Sequence, residues 1–567
     1  MLPSWWERWP GRLEFELGEL ERVGVPYERD EAAFQAGVVQ LVVHPEVDGE
    51  RLRLLAVFPH SYPDFRVEVY ADDLGLAHHQ HPFAKNLCLV GRDTGNWRPS
   101  YTLAKVLTEQ LPTVLRTGRS GDVAAVEGLE EQQAEPFGDY YPYDYPAILS
   151  VDGAWALDPA VQRGELLIGI EEIAPTIRGV VLEVRDDSGQ RLVSADEALH
   201  RRYPQTHRLT GRWLRVNEPI READPKRFWE TIGRHDPWVT GLRWQHVGRQ
   251  GIGVVGAVFP DETGWRRTGD GWVFAVRVER GPHYFARTGH VGRQDLAARV
   301  PELALLAECK VAVIGLGALG MASALAFARA GVAKIRALDF DIVDPGTSPR
   351  WPFGLGAAGL PKTAVLERFL AQRYPYTNVK PYFHRIGAAR RHGQPAAGDP
   401  DAKVLGEVLD GVDLVYDATA EEGVHPFLNR LCREAGIPYV GVSGTNGAWG
   451  GVVVRTRPGA GCWHCFLAEL DEGSIPSPTE APGDRVQPAG CASPTFTGAG
   501  FDLEPIALMG VRLAAATLAG AAPGGYPDAG WDVAIGDFRD GEGRPIPPRW
   551  QTFRLNKRPG CPACGGR

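Results

Sequence analysis

Residues 311–341 read VAVIGLGALGMASALAFARAGVAKIRALDFD, and this stretch decides the fold. Its pattern predicts a buried strand, a glycine turn, an alanine-rich helix and a second strand. Gly315 permits the tight bend, Gly317 lets the backbone approach phosphate oxygens, and Gly320 lets the helix lie close to the sheet. The N–H groups at the start of that helix would face an anion. The stretch therefore predicts a nucleotide-binding α/β domain.

Charged residues after the second strand indicate which nucleotide chemistry to expect. Asp339 stands 24 residues after Gly315, where an acid binds ribose hydroxyls, and Arg350 and Lys362 follow it. Phosphoryl chemistry needs such cations to neutralise developing charge, whereas hydride transfer has little use for them. We therefore favour ATP chemistry. A nicotinamide oxidoreductase is the alternative, and it would predict tight NAD binding and indifference to Lys362→Ala.

These residues resemble the adenylation core of the ubiquitin-activating enzymes and of their bacterial relatives MoeB and ThiF. That family has the same glycine turn, an acid pair spaced D-x-D, an arginine eleven residues after the first acid and a lysine before the next helix. The resemblance implies a Rossmann-like adenylation domain in which Asp339, Asp341, Arg350 and Lys362 bind ATP, the last two also acting in catalysis. Of the family's Ser-Asn-Leu-x-Arg-Gln box, only the arginine is present.

The magnesium ligand of this domain is less directly assigned. The family ends a later strand with D-x-x-D-N, the second acid lying near magnesium, but here Ala420 and Glu421 occupy the last two positions. Because ATP chemistry requires Mg²⁺, we expect Asp417 or Asp341 to take over this contact.

Arg293, in Gly292-Arg293-Gln294, is similar to an arginine of MoeB-like proteins that reaches the ATP site of the neighbouring subunit. A solvated helix start is the alternative reading of this segment, and Arg299 is a competing candidate. The resemblance also implies a homodimer formed through the adenylation domain.

Two C-x-x-C pairs, Cys462 with Cys465 and Cys561 with Cys564, predict a metal site. Four thiolates make a closed tetrahedral zinc site that leaves no open position for catalysis. Such a zinc ion would tie the end of the chain back onto the adenylation core. Two unrelated pairs, or a redox motif, are the alternative.

Cys491 lies between these pairs in the segment GCASPTFTG, residues 490–498. In activating enzymes, a cysteine in a mobile segment after the adenylation core attacks the acyl adenylate, so the resemblance implies a thioester on Cys491. Its Gly- and Pro-rich surroundings suit that need for exposure and reach. Cys309 and Cys432 fit less well, since they belong to a predicted buried strand and a predicted helix. An ordinary loop cysteine is the alternative.

The front of the chain carries a different resemblance. His81-Pro82, Leu87-Cys88-Leu89 and Trp97-Arg98-Pro99, after predicted strands near 36–45, 51–58 and 65–70, resemble the ubiquitin-conjugating fold. Cys88 matches its nucleophile, which carries an acyl group as a thioester. Phe83 replaces the family's asparagine, a donor to the oxyanion, and Asn86 is a candidate substitute. The alternative is that Cys88 belongs to a buried strand.

Length and composition predict several domains. The 567 residues, 44% of them hydrophobic, exceed what one core normally serves. We expect a ubiquitin-conjugating-like α+β domain over 1–118, a linker over 119–145, a β-rich middle module over 146–290 and the adenylation domain with its zinc knuckles over 291–567. The purpose of the middle module is not evident from its sequence.

Charge and hydropathy exclude some classes of partner. The net charge of −10 argues against nucleic acid. No apolar run reaches the length of a membrane span, and MLPSWWERWP lacks the features of a secretion signal. We therefore expect a cytoplasmic protein without a membrane partner.

Taken together, the chain resembles the fused conjugating–activating proteins of bacterial anti-phage operons, of the CBASS type and of ubiquitin-like operons. The resemblance implies that ATP adenylates the C-terminal carboxylate, usually of glycine, of a ubiquitin-like or CD-NTase-type protein. The acyl group would pass to Cys491, then to Cys88, then to a target protein. One alternative is a MoeB- or ThiF-like adenylyltransferase for a sulfur carrier, which needs neither thioester. Another is a non-catalytic adaptor with decayed sites.

Overall fold

A computed structural model of the chain describes residues 4–90, 97–120, 134–173, 176–247, 250–264, 267–389, 398–483, 486–487, 495, 497–520 and 522–565. The chain divides into two compact units. The first consists of Met1–Val151, Trp155–Ala195 and Tyr203–Gly289, and the second of Asp152–Ala154, Asp196–Arg202 and His290–Arg567. The finer division into four segments stays a prediction.

The front of the first unit is an α+β region. Its elements are α1 (Trp5–Arg8), α2 (Arg12–Arg22), β1 (Tyr27–Arg29), α3 (Glu31–Gln35), β2 (Val39–Val43), β3 (Glu46–Val47), β4 (Glu50–Arg51), β5 (Leu54–Phe58), β6 (Glu68–Tyr70), α4 (Leu103–Glu109) and α5 (Leu111–Ser120). Strands β1, β2, β5 and β6 form an antiparallel sheet in that order. Every second side chain of β2 and β5 is buried, as a one-sided sheet requires. The predicted strands contain β2, β5 and β6, and the α+β prediction is confirmed.

The rest of the first unit is rich in strands. In chain order the elements here are β7 (Ile148–Val151), β8 (Arg163–Ile173), β9 (Ile177–Arg185), β10 (Arg191–Ser194), α6 (Glu197–Arg202, which belongs to the second unit), β11 (Arg208–Arg215), α7 (Pro225–His235), α8 (Pro237–Thr240), β12 (Gln245–Val247), β13 (Gln250–Gly264), β14 (Arg267–Val278) and β15 (His283–His290). Short 3₁₀ helices cover Phe137–Tyr140 and Gln205–His207.

These nine strands form one sheet that closes on itself. The order is β10-β9-β7-β15-β14-β13-β11-β8, with β12 beside β13, and β9 also pairs with β8. Alternate residues of β13 and β14 belong to different cores: Val254 and Phe274 pack inside the closed sheet with Trp213, whereas Val255 packs outside, beneath α7. The β-rich prediction is confirmed, and the enclosed space holds an apolar core.

Residues 135–143, here called the strap, pack against the outer face of the closed sheet. The N–H groups of Phe137 and Gly138 donate to the Asp261 carboxylate at 2.8 and 3.1 Å. Tyr141 is buried, and its ring lies 4.9 Å from that of Phe285. The sequence predicts a linker over 119–145 because its mixed Gly, Glu, Gln, Pro and Tyr residues follow no sustained period; this prediction stays untested, and the aromatic residues of the strap make packing contacts within it.

The second unit contains the predicted α/β domain. Its remaining elements are α9 (Arg293–Ala297), β16 (Lys310–Ile314), α10 (Ala318–Arg329), β17 (Lys334–Asp339), α11 (Lys362–Arg373), β18 (Asn378–Phe383), α12 (Asp401–Leu409), β19 (Leu414–Asp417), α13 (Val424–Ala435), β20 (Tyr439–Gly444), β21 (Gly450–Thr456), α14 (Trp463–Asp471), α15 (Gly500–Ala519), β22 (Val533–Arg539) and β23 (Pro545–Phe553). Short 3₁₀ helices cover Pro301–Glu308, Pro345–Thr347, Leu355–Ala357 and Asn446–Ala448.

Its eight strands lie in the order β18-β17-β16-β19-β20-β21-β22-β23, the first five parallel and the last three added antiparallel. Both faces of the sheet are covered. Val311 and Val313 of β16 belong to one core, and Ala312 and Ile314 belong to the core on the other face. This double burial explains why β16 is apolar at consecutive positions. Within the described ranges, no helix is both long and apolar enough to cross a membrane.

A buried arginine ties the end of the second unit together. Arg455 on β21 is fully buried and hydrogen-bonds Asp532 at 3.0 Å, Asp528 at 2.7 Å and the carbonyl of Trp531 at 2.7 Å. The Asp532 side chain is only 5% exposed, and its charge is balanced by Arg455 and by Arg457, whose Nη2 lies 3.2 Å away.

We predict that Arg455→Ala lowers the free energy of unfolding by about 3 kcal/mol, because it removes a buried cation and leaves Asp532 with only the partly exposed Arg457 as its charged partner. The matched control is Arg544→Ala. Arg544 also bonds a carboxylate, that of Asp540 at 2.7 Å, but it is 74% exposed, so its loss should change stability little. Urea unfolding followed by tryptophan fluorescence measures both variants. Equal effects of the two substitutions would contradict the assignment.

Candidate nucleotide, zinc and cysteine sites

The glycine turn lies at the carboxyl end of β16, where the sheet changes direction. The chain runs from β16 to β17 and β18 on one side, whereas β19 lies on the other side of β16. In open α/β sheets, ligands bind outside the carboxyl ends of the strands at such a point. Asp339, Asp417 and Gly444 end β17, β19 and β20 and therefore lie along the same edge.

The three glycines of the turn differ in what they require. Gly315 has φ +81°, and a Cβ there would lie 2.9 Å from the backbone of Ala418. A Cβ on Gly320 would lie 1.8 Å from the carbonyl oxygen of Gly315. A Cβ on Gly317, in contrast, would meet no described atom within 4 Å. Gly315 and Gly320 are therefore required by the fold, whereas Gly317 leaves space at the start of α10.

Asp339 lies directly against the turn. One carboxylate oxygen accepts the N–H of Leu316 at 2.6 Å, and the other accepts the N–H of Asp341 at 2.7 Å. Burial raises the pKa of Asp339 above its ordinary value, although the Lys362 charge and both N–H groups oppose this shift. The predicted ribose-binding acid thus also fastens the glycine turn to the end of β17.

Lys362 and Asp341 form an ion pair at this edge. The Lys362 Nζ lies 2.7 Å from Asp341 Oδ2; the lysine side chain is 10% exposed and that of the aspartate 52%. Lys362 is the first residue of α11, where the helix dipole disfavours a cation. A nearly buried lysine at this position adds to the positive potential of the helix start, which suits an anionic ligand.

Arg350 is held near the turn because the next residue, Trp351, bonds the turn. The Trp351 indole N–H donates to the carbonyl of Leu316 at 3.0 Å, and Arg350 Nη2 donates to Thr495 Oγ1 at 2.8 Å. Thr495 is paired with Val486 by two backbone hydrogen bonds of 2.7 and 2.9 Å. Cys491, four residues before Thr495, lies outside the described residues. Arg350 is thus bonded to a residue four positions after Cys491 in the sequence.

Asp417 is held by hydrogen bonds below the sheet surface, and its predicted role at magnesium stays a prediction. Its side chain is fully buried and accepts from Thr419 Oγ1 at 2.8 Å and from the Tyr439 hydroxyl at 2.9 Å, while His425 Nδ1 lies 2.9 Å away. Burial alone would raise the pKa of Asp417, but His425 and Thr419 hold it below its ordinary value. Asp341, the other carboxylate of the predicted pair, is half exposed and bonded to Lys362.

Ala420 occupies the position of the family's second acid. It has φ +54°, a left-handed conformation that asparagine and aspartate adopt more readily than alanine.

His425 is a residue that the sequence analysis did not predict to be part of the site. Its spacing from Asp417 carries no motif, and only the packing of α13 on the sheet brings the two together.

Arg293 is engaged within its own unit. Its Nε lies 2.9 Å from Asp196 Oδ2, and its guanidinium lies 4.6 Å from the centre of the Tyr376 ring. The side chain is 43% exposed. A role in a neighbouring subunit's ATP site would require Arg293 to leave these partners, so that role stays a prediction.

The four predicted metal ligands meet in one cluster. The Sγ atoms of Cys462 and Cys465 are 3.8 Å apart, those of Cys462 and Cys561 3.6 Å, and those of Cys465 and Cys564 3.3 Å. All four lie within 4.8 Å of one another. A tetrahedron with Zn–S bonds of about 2.3 Å has sulfur atoms about 3.8 Å apart. The donor set and its spacing fit a structural zinc ion.

In the first unit, Cys88 is half-buried. Its N–H donates to the carbonyl of His79 at 2.8 Å. The Asn86 side-chain amide donates to Glu68 at 3.3 Å, so one of its two donors is already used. Phe83 packs against the aromatic residues of the strap, as described below. The position of the missing family asparagine is therefore an apolar contact.

The sheet edge where Asp339, Asp417 and Gly444 end their strands is here called the nucleotide edge. A cavity of about 750 Å³ opens beside it. Its lining includes Gly444 at the carboxyl end of β20, Asn446, Trp449, Thr479 and Asp540. No motif predicts this cavity, because its walls come from segments distant along the chain. Gly444 lies two strands from Gly315, which corresponds to about 10 Å across the sheet.

Comparison with known proteins extends over both units. Residues 292–517 match the ThiF family, and residues 30–148 match Prokaryotic E2 family B. Among the relatives, the uncharacterized proteins y4oA and y4qC of Sinorhizobium fredii (strain NBRC 101917 / NGR234) are 29% and 31% identical; y4oA aligns over 99% of this chain and 98% of its own length, y4qC over 94% and 93%. Molybdopterin-synthase adenylyltransferase of Salmonella typhimurium is 25% identical over 46% of this chain and 88% of its own length.

We predict that the protein binds one zinc ion per chain, and that Cys561→Ser or Cys564→Ser abolishes its binding and lowers the thermal midpoint, because the site closes a loop onto the core. Elemental analysis of the purified protein measures the metal content. Cys309→Ser is the matched control, since Cys309 is a half-buried cysteine outside the cluster. Zinc retained in both cluster variants would contradict the site.

Proposed function

The chain belongs to the same family as y4qC and carries a prokaryotic E2 family B region ahead of a ThiF family region, and from this premise we propose that it activates a protein C-terminus with ATP. The activated carboxyl group is then carried as a thioester on Cys491 and on Cys88. The observation that carries the proposal is the convergence of Gly317, Asp339 and Lys362 at one sheet edge, with Arg350 bonded to the Cys491 segment.

In the first step, a carboxylate oxygen attacks the α-phosphorus of ATP and pyrophosphate leaves. A carboxylate is a poor electrophile at neutral pH, and the acyl adenylate provides AMP as a good leaving group. The open space at Gly317 suits close approach of phosphate to the backbone. Lys362 and Arg350 supply positive charge for the phosphoryl transition state, and Asp339 suits the ribose hydroxyls.

The residues also suit the metal ions of this chemistry. The half-exposed Asp341 carboxylate would hold Mg²⁺, which neutralises phosphate charge when bound. Cys462, Cys465, Cys561 and Cys564 would hold zinc in a structural role, since four thiolates leave no open coordination position.

In the second step, the Cys491 thiolate attacks the acyl carbonyl, a C–S bond forms and the bond to AMP breaks. Support comes from the Arg350–Thr495 hydrogen bond, because four residues span at most about 14 Å of extended chain. In the third step, the Cys88 thiolate displaces Cys491 by thioester exchange. The half-buried state of Cys88 is compatible with that reaction. A nucleophile of the target protein then displaces Cys88.

The partner is a protein whose C-terminal segment is narrow enough to enter the nucleotide edge. The cavity beside β20 suits such a segment, and a terminal glycine would present the least bulk. A ubiquitin-like protein or a CD-NTase-type protein fits this description. We further propose a homodimer formed through the ThiF-like region.

The test is a non-reducing gel of the protein with ATP, Mg²⁺ and candidate partner proteins. We expect Cys491→Ala to lose both thioesters and Cys88→Ala to lose only the one on Cys88, because the acyl group passes from the first cysteine to the second. Cys309→Ala should keep both. Two thioesters that form independently of each other would overturn the order of transfer.

The glycines give a second prediction. Gly320→Ala should lower the free energy of unfolding by about 1–3 kcal/mol or more, since its Cβ would clash with backbone. Gly317→Ala should keep the stability of the unchanged protein and lose ATP–pyrophosphate exchange, because its methyl group occupies the open space. Thermal melts and isotope exchange measure the two effects. Unchanged exchange in Gly317→Ala would contradict a phosphate site there.

One other function has a specific observation in its favour. The similarity to molybdopterin-synthase adenylyltransferase suits activation of a sulfur carrier. That reaction needs neither Cys491 nor Cys88 as an acyl carrier. Transfer that persists in both cysteine variants would therefore support it, whereas absent exchange with every candidate partner would support a non-catalytic adaptor.

A further inference from the structure

The hairpin that carries Cys88, residues 79–88, has two paired arms. Gln80 and Leu87 form an antiparallel bridge, and the Cys88 N–H donates to the His79 carbonyl at 2.8 Å. Cys88 and His79 are therefore direct neighbours across the two arms. Any element that fixes the His79 backbone also fixes the backbone of Cys88.

Glu135 of the strap holds His79 at two points. One carboxylate oxygen accepts the His79 N–H at 2.9 Å, and the other lies 3.1 Å from His79 Nδ1. The Tyr140 hydroxyl also donates to Glu135 at 2.9 Å, and the glutamate side chain is only 9% exposed. Burial alone would raise the pKa of Glu135, but these donors lower it to about 2. The carboxylate is therefore ionised at neutral pH, as the contact to His79 requires.

His79 and Lys85 both have left-handed backbone conformations, with φ +62° and +64°. Such conformations are uncommon outside glycine and persist where surrounding contacts determine them. For His79, the Glu135 contacts are of this kind.

Phe83, at the tip of the hairpin, makes the second attachment. Its ring centre lies 5.6 Å from that of Phe137 and 5.5 Å from that of Tyr141, both in the strap. The His81 ring lies 4.9 Å from that of Tyr140. Aromatic rings at these separations attract one another beyond the effect of their burial. The hairpin is thus held at its tip as well as at its base.

The strap is in turn fixed to β13. Besides the Asp261 contacts of Phe137 and Gly138, the Glu135 N–H donates to Glu262 at 2.7 Å. The His78 side chain lies 3.6 Å from the same Glu262. A continuous set of contacts therefore runs from the closed sheet through the strap to the backbone of Cys88.

We propose that the strap and the closed sheet behind it position Cys88 for acyl transfer, with Glu135 and Phe83 as the positioning residues. This inference rests on the proposed function of Cys88. It assigns a purpose to the β-rich middle module, whose sequence suggested none. It also explains Phe83: the ring cannot donate a hydrogen bond to an oxyanion, so this position serves to anchor the hairpin instead.

The test uses the full-length protein with Phe83→Ala, Phe83→Leu and Glu135→Gln. Two matched controls change exposed residues of the same type, Phe65→Ala and Glu28→Gln. Hydrogen exchange of the peptide that contains residues 79–90 and the alkylation rate of Cys88 report on the hairpin without any partner protein. Single-turnover transfer from Cys491 to Cys88 reports on the reaction.

We expect the Cys88 amide to exchange about tenfold faster in Glu135→Gln, the effect of losing one hydrogen bond to a charged group. Phe83→Ala should also speed the exchange of the Cys88 amide. Phe83→Leu should keep much of the protection of that amide against exchange. Transfer should slow by about 10- to 100-fold in the two disruptive variants, because small displacements of reacting groups are costly, while loading of Cys491 stays unchanged.

Unchanged exchange and alkylation in both Glu135→Gln and Phe83→Ala would overturn the positioning role. If Phe83→Ala does not fold, Glu135→Gln decides the question, since it keeps the shape of the side chain. Faster exchange in the variants, without a thioester on Cys88 even in the unchanged protein, would retain the role of the strap in holding the hairpin and refute the proposed function. The two failures are therefore distinguishable.

Discussion

Two hydrogen bonds to one buried carboxylate organise the nucleotide edge. Asp339 accepts the N–H groups of Leu316 and Asp341, and in this way it joins the end of one strand to the turn that follows its neighbour. The two cations near this edge are positioned by residues that contact Asp339 or the turn. Lys362 reaches the edge through Asp341, and Arg350 reaches it because Trp351 bonds the carbonyl of Leu316. The spacing of the cations therefore depends on the Asp339 carboxylate being in place.

The features that the sequence predicted well are those in which the chemistry is local. The glycine turn and the C-x-x-C pairs depend on spacings of a few residues, and the structure brings the four cysteines together. The apolar run of β16 predicted a strand covered on both faces, because alternate residues of a central parallel strand enter different cores. Phe83 is visible in the sequence alone as a departure from the conjugating-enzyme pattern.

The features that the sequence did not predict depend on contacts between distant segments. The surroundings of Asp417 are one example, because α13 and β20 bring His425 and Tyr439 to its carboxylate and bury it. The packing of the strap is another example, because its aromatic residues follow no helical or strand period. Those residues pack singly against the outer face of the closed sheet, a pattern that periodicity does not detect. The closure of the middle sheet likewise depends on the pairing of β8 with β9 as well as β11.

The attachment of Phe83 to the strap has a practical meaning for dissecting the chain. A fragment cut after α5 would keep the core of its four-stranded sheet but would present the Phe83 ring and the His79 side chain to water. A cut at the predicted boundary, after residue 118, would therefore separate the hairpin from the strap that it contacts. Exchange of this region between relatives would have to include residues 135–143, which lie within the stretch 30–148 that matches Prokaryotic E2 family B.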